Sequence, residues 1–210
     1  MNNHGFMKTK HQLIRGLAAV CVLAGLGADV QNVRCQDAAA TKGVKLPFTV
    51  YDEKGSTNNH FFPSGWMGST KGIKMDEGCS ANPHAGKTCL RFEYTESGDW
   101  AGIVWQDPAN DWGDQPGGWN LTGARKLTFW ARGENGGETV TFKFGILGPD
   151  KKYPDSTGGQ LDSLKLTKEW KEYSIDLAGK DLTHIKTGFV WTLRGQGQPV
   201  AFYLDDIRFE

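Results

Sequence analysis

The run from Lys126 to Leu147 constrains the fold more than any other part of the chain. KLTFWARGE and TVTFKFGIL each alternate apolar with polar residues, and Gly133, Gly136 and Gly137 lie between them. Period-two alternation interrupted by glycines predicts two strands joined as a hairpin, with Val140, Phe142, Phe144 and Ile146 on one face. Such a pattern buries its apolar side only by stacking a sheet on something apolar.

The rest of the chain repeats the theme. LPFTVYDE starts the fold near Leu46, with Phe48, Val50 and Asp52 on one side and Thr49 and Tyr51 on the other. FFPSGWMGSTKG reads as a loop carrying Trp66. IKMDEG, TCLRFEYTE, GIVWQD, GFVWTLRG and VAFYLDDIRFE read as strands, and SLKLTKEWKEYSIDL as a strand pair or one bent strand. DLTHI suits a single helical turn capped by Asp181. No segment sustains a helical period beyond about two turns. The 28 glycines are nearly twice average usage and fall between short apolar runs. Roughly ten strands separated by turn signals predict an all-β fold, a jelly-roll β-sandwich of two antiparallel sheets.

The N-terminal segment follows a different logic. Lys8, Lys10 and Arg15 precede the apolar run Leu17–Leu26, and small residues follow it, so residues 1–28 are expected to be a secretory signal peptide. At about ten residues the run is too short to span a bilayer. Cleavage after Ala40, or lipid attachment at Cys21, are the alternatives. Residues 29–45 show no apolar period and read as a flexible linker, so the folded domain is expected over 46–210. The expected localisation is secreted or periplasmic, with no membrane contact once the signal is removed. Cys79 and Cys89 bracket the turn-forming SANPHAGKT and are expected to close a disulfide in an oxidising compartment. Cys35 is left over as a free thiol or part of a longer leader.

Chemistry concentrates in Asp99–Gly123, which holds four of the eight tryptophans (Trp100, Trp105, Trp112 and Trp119). Asp107, Asn110, Asp111, Asp114 and Gln115 are interspersed among them. Flat apolar rings alternating with carboxylates and amides suit sugars, whose C–H faces stack and whose hydroxyls need acceptors and donors. Expected ligand contacts are Trp66, Trp105, Trp112, Trp119 and Trp191, with Asp107, Asn110, Asp111, Lys143, Tyr153 and Arg194 as polar partners. Trp130 and Trp170, in strong strands, read instead as sheet-packing residues.

KLTFWARGE followed by GGE, then EWKEYSIDLAGKDLTHIKTGFVW, then FYLDDIRFE resembles the jelly-roll carbohydrate-binding modules with a galactose-binding-like fold. That likeness covers residues 46–210. It implies non-catalytic binding of polysaccharide or oligosaccharide, such as a β-glucan or a related glycan, on a concave sheet face or rim loops, with a glycan-degrading enzyme as possible partner. It also implies a structural calcium between the first and last strands, held by Asp52, Glu53, Asp205 and Asp206.

Other classes have less support. With zero formal charge and no dense basic block, nucleic acid is not an expected partner. The chain has no GxSxG and no HExxH, and no carboxylate pair is singled out by spacing. The competing expectation is a small glycoside hydrolase or polysaccharide lyase on the same fold, the lyase taking its base from His60 or Tyr153. A further reading is a surface protein whose sandwich serves protein contacts.

Overall fold

A computed structural model describes residues 43–210, so the expected signal peptide and most of the linker lie outside the described residues. The described residues form a β-sandwich of eleven strands. These are β1 (Phe48–Tyr51), β2 (Phe62–Gly68), β3 (Ile73–Cys79), β4 (Cys89–Tyr94), β5 (Trp100–Gln106), β6 (Lys126–Gly133), β7 (Thr139–Phe144), β8 (Gly159–Lys165), β9 (Lys171–Asp176), β10 (Thr187–Arg194) and β11 (Val200–Phe209). One 3-10 turn, Thr70–Gly72, is the only helical element among them. The six-stranded sheet runs β3-β4-β11-β6-β9 with β1 added against β11, and the five-stranded sheet runs β2-β5-β10-β7-β8. All pairs are antiparallel.

Alternation places the core as expected. From the five-stranded sheet, Ala101, Ile103 and Trp105, Phe189, Trp191 and Leu193, and Val140, Phe142 and Phe144 point inward. They meet Leu90, Phe92, Leu127, Phe129, Phe202 and Leu204 from the other sheet. Aromatic contacts fill the middle: Trp191 lies 5.2 Å from both Phe92 and Phe202, and Phe129 lies 4.7 Å from Phe142. Offset and edge contacts at these spacings are the favoured geometries for buried rings.

The expected β6–β7 hairpin does not form. β6 pairs with β11 and β9, whereas β7 pairs with β10 and β8. The connection Glu134–Glu138 carries the chain from one sheet to the other, so the apolar sides of β6 and β7 face each other across the core. Phe129 against Phe142 is that contact. Ile146 lies beyond the end of β7, after Gly145 at φ +64°, and only half leaves solvent. The run SLKLTKEWKEYSIDL is two strands, β8 and β9, again in different sheets. Trp66 lies on β2, not in a loop. DLTHI forms no helix: Asp181 accepts the amide and hydroxyl of Thr183, and Ile185 pairs with Trp119 in an isolated bridge.

Candidate binding face on the five-stranded sheet

Residues left over from the core alternation form the outer face of the five-stranded sheet. Register aligns them in rows: Trp100 with Arg194, then Met67, Gly102, Thr192 and Thr141, then Gly65, Val104, Val190 and Lys143. At Gly102 the floor is kept flat, since an added Cβ would lie 2.5 Å from the Trp191 carbonyl oxygen and 2.8 Å from Thr192 Cγ2. Trp100 begins β5 with its ring 44% exposed. It borders a groove of about 370 Å³ lined also by Thr139, Thr141, Lys143, Ser163, Thr192, Arg194 and Gln196. Lys143 also borders a second depression of about 410 Å³ with Gly145, Gly158, Gly159 and Gln160, so the hollow continues along β7 and β8.

The other end of this face is closed. Val104 and Val190 point outward yet are fully buried. The loop from Asp107 to Trp119 is tied down there: Gln106 Nε2 donates to the Asp111 carbonyl (2.7 Å), and the Asn110 amide donates to Ser64 Oγ (2.8 Å). Asp111 is buried, forms an ion pair with buried Lys186 (2.5 Å), and accepts the amides of Gly113, Asp114 and Gln115. Burial alone would raise its carboxyl pKa, but the bond from Lys186 and those amides hold it below the ordinary value. Asp107 accepts the Gly118 amide. His184 joins this loop to the next, its Nδ1 2.6 Å from the Pro154 carbonyl and its Nε2 2.7 Å from that of Gly117.

These contacts sort the expected site residues. Lys143 and Arg194 come together on the open groove. Trp105 (1% exposed) and Trp191 (0%) are corrected to core, out of reach of any polymer, because both take the inward phase of their strands. Trp119 packs on Phe48 (5.0 Å) and His60 (5.3 Å) and belongs with the core. Asp107 and Asp111 are spent on the loop's own amides and on Lys186. Trp112 and Tyr153 are half-buried at the closed end, where the Lys186 ammonium lies 5.8 Å from the Tyr153 ring; Asn110 is exposed there. Trp66 is 39% exposed on edge strand β2, opposite inward-facing Ile103, and its Nε1 donates to the Pro63 carbonyl. Trp100, Thr141 and Thr192 are the residues that sequence reasoning missed. Extending the alternation of GIVWQD back by two positions puts Trp100 on the opposite face from Trp105.

On the outer face of the six-stranded sheet, the rings are enclosed. His84 stacks on Trp130 (3.7 Å), the Arg132 guanidinium lies over Tyr203 (3.6 Å) and near Trp170 (5.3 Å), and Trp170 Nε1 donates to the Asn82 carbonyl (2.9 Å). The Tyr203 hydroxyl donates to Glu134. The segment between the two cysteines supplies the cover. Cys79 and Cys89 are register partners in β3 and β4, but both are free buried thiols, which corrects the expected disulfide. Burial pushes the Cys89 thiol up to about 12.

Three of the four acids expected to bind calcium hold that segment instead. Glu53 accepts the amides of Lys87 and Thr88 and the Thr88 hydroxyl, Asp205 accepts the amides of His84 and Ala85, and Asp206 meets His84 Nδ1 at 2.8 Å. Gly86, at φ +56°, leaves the space: a Cβ there would sit 1.6 Å from Glu53 Oε1. Asp52 turns to Asn58 and Asn59. No cluster of three or more metal-ligating side chains forms among the described residues.

No curated protein matches the chain in sequence. Among solved structures, it is similar to the family 30 carbohydrate-binding module of a cellulosomal cellulase of Clostridium thermocellum, at 14% identity and a TM-score of 0.54 over 79% of this chain and 98% of that one. A second family 30 carbohydrate-binding module superposes at 14% identity and a TM-score of 0.52, over 79% and 99%. At such identity the likeness is one of fold. The family model described as carbohydrate binding domain 30 matches residues 48–210, nearly the whole described sandwich, and the chain belongs to that family.

Proposed function

We propose that this chain binds polysaccharide of the β-glucan class, without cleaving it, along the groove on the outer face of the five-stranded sheet. The single observation that carries the reading is Trp100, an indole 44% exposed at the rim of a hollow lined by hydroxyl, amide and cationic side chains, in a chain of a carbohydrate-binding family. Its ring offers a stacking surface worth about 0.5–1.5 kcal/mol beyond simple area burial. Thr139 and Thr192 offer hydroxyl donors and acceptors to a sugar, while the hydroxyls of Thr141 and Ser163 already donate to Asp162 and the Gln196 amide is held by the Thr139 backbone. One ring and a handful of hydrogen bonds in an open groove correspond to dissociation constants of about micromolar to millimolar. The basic, apolar and small-residue order of residues 8–28 supports export, and a partner enzyme acting on the same polymer belongs to the same reading.

Affinity electrophoresis in gels containing soluble β-glucan tests it. The wild-type chain is expected to be retarded, and Trp100→Ala to lose the retardation with its melting temperature unchanged. Undiminished retardation of Trp100→Ala would move the site elsewhere, and release of reducing or unsaturated ends would replace binding with catalysis.

A further inference from the structure

Resting on that assignment of the groove, we propose that the groove selects glycans bearing carboxylates, a uronate-containing polymer over its neutral counterpart, through Lys143 and Arg194. Two full positive charges border the hollow, and no carboxylate is among its lining residues. Neither cation has an ion-pair partner among the described residues. Asp162, on the neighbouring strand β8, still contributes one formal negative charge while it accepts the hydroxyls of groove-lining Thr141 (2.9 Å) and Ser163 (3.4 Å), so the two cations outnumber it by one. Three other basic side chains beside aromatic rings are committed to internal partners, Lys186 to Asp111, Arg91 to Glu93 and Arg132 over Tyr203. Lys152 and Lys171 lie by Tyr153 and Tyr173 without an ion pair among the described residues, but they do not line the groove.

Geometry also suits one chain lying across both cations. Lys143 is the register partner of Val190, and Arg194 lies four positions further along β10, next to Trp100. Four residues of strand span about 13 Å. That exceeds the Debye length of about 8 Å at physiological salt, so the cations repel each other little and would meet different sugar units of a chain stacked on Trp100. Neutral sugar hydroxyls can be met by Thr139 and Thr192. Lysine and arginine add donors without acceptors, and a carboxylate uses such donors best, the guanidinium fork bidentately. The formal charge of the whole chain is zero, so attraction to a polyanion would have to be local to the groove.

The test uses a matched pair of ligands, a soluble β-glucan and the same polymer oxidised at C6 to uronate, titrated calorimetrically with the full chain. Exposed charge pairs are individually weak, so the expected preference for the oxidised polymer is roughly tenfold at low salt, shrinking as salt rises. Lys143→Gln with Arg194→Gln should erase that ratio, whereas Lys143→Arg with Arg194→Lys should keep most of it. Circular dichroism confirms that each variant is folded. Equal affinity for the two polymers overturns the inference and leaves the groove assignment standing. A preference that survives the double glutamine variant also overturns it, because the charges responsible would then lie outside the groove. Binding to neither polymer removes the groove assignment and the inference together.

Discussion

On the outer face of the six-stranded sheet, Trp130 is stacked by His84, Trp170 donates to a loop carbonyl and Tyr203 lies beneath Arg132. Across the sandwich, Trp100 stands open beside a groove whose cations have no ionic partner among the described residues. Both faces present strand tryptophans next to arginine, so residue type does not separate them. What separates them is a cover. Residues 80–88 fold over one face and are gripped by Glu53, Asp205 and Asp206, whereas the outer side of the other face is closed at one end only. A ring becomes available for recognition where no loop has been fastened above it.

Substitutions test this contrast, beginning with the largest expected effect. Trp191→Ala should cost about 3–5 kcal/mol in urea denaturation by opening a cavity among Phe92 and Phe202, whereas Trp100→Ala should stay within about 0.5 kcal/mol of wild type. Similar losses at both positions would mean that Trp100 is structural. Lys186→Ala strands the buried Asp111 carboxylate and should cost about 3 kcal/mol or more, with proteolysis appearing first in residues 107–119. Stability close to wild type would show that the closed end of the groove does not depend on that pair. Trp170→Ala should cost about 1–2 kcal/mol and leave glycan affinity unchanged. Loss of affinity there would erase the distinction between the two faces.

A smaller effect follows from Asp205. Burial, the largest influence, raises its carboxyl pKa to about 6 from an ordinary value of 3.8, with help from neighbouring Asp206 and against the amides it accepts. The folded chain therefore holds this proton more tightly than the unfolded one. The resulting stability is full below the ordinary value and is lost as pH rises through about 6. The depressed carboxyls of Asp111 and Glu53 work the opposite way, but at pH values below their ordinary range. The advantage of Asp205→Asn over wild type, read as a difference in unfolding midpoint, should thus be larger at pH 7 than at pH 5. A pH-independent difference would show that Asp205 does not titrate in this window.

Alternation in the sequence located the inward residues well, because a side chain's phase along a strand is a local property. Val140, Phe142 and Phe144 are inward as read, and so are Leu90, Phe92 and Tyr94. Pairing is not local, and here the reading failed. A glycine turn brings β6 and β7 close together, but nothing in either strand says whether they pair edge to edge or stack face to face. The acids carry a related ambiguity. Oxygen ligands for an ion and acceptors for loop amides are the same residue types, and only the path of residues 80–88 decides between them. Trp105 was misjudged because one exposed phase and one buried phase share the same stretch of sequence, whereas Trp66 was hidden by glycines that break the strand pattern around it.

The strand order has a kinetic consequence. Of the ten steps between consecutive strands, only β3 to β4 and β7 to β8 join hydrogen-bonded neighbours. Every other pairing closes a longer segment of chain before any contact rewards it, and β1 against β11 closes nearly the whole domain. Chains built this way fold on the slow side, in about milliseconds to seconds, and expose unpaired edges while they do so. Removing β1 would take away the pairing with the longest closure, and removing β11 would take away the central neighbour of β4 and β6 as well.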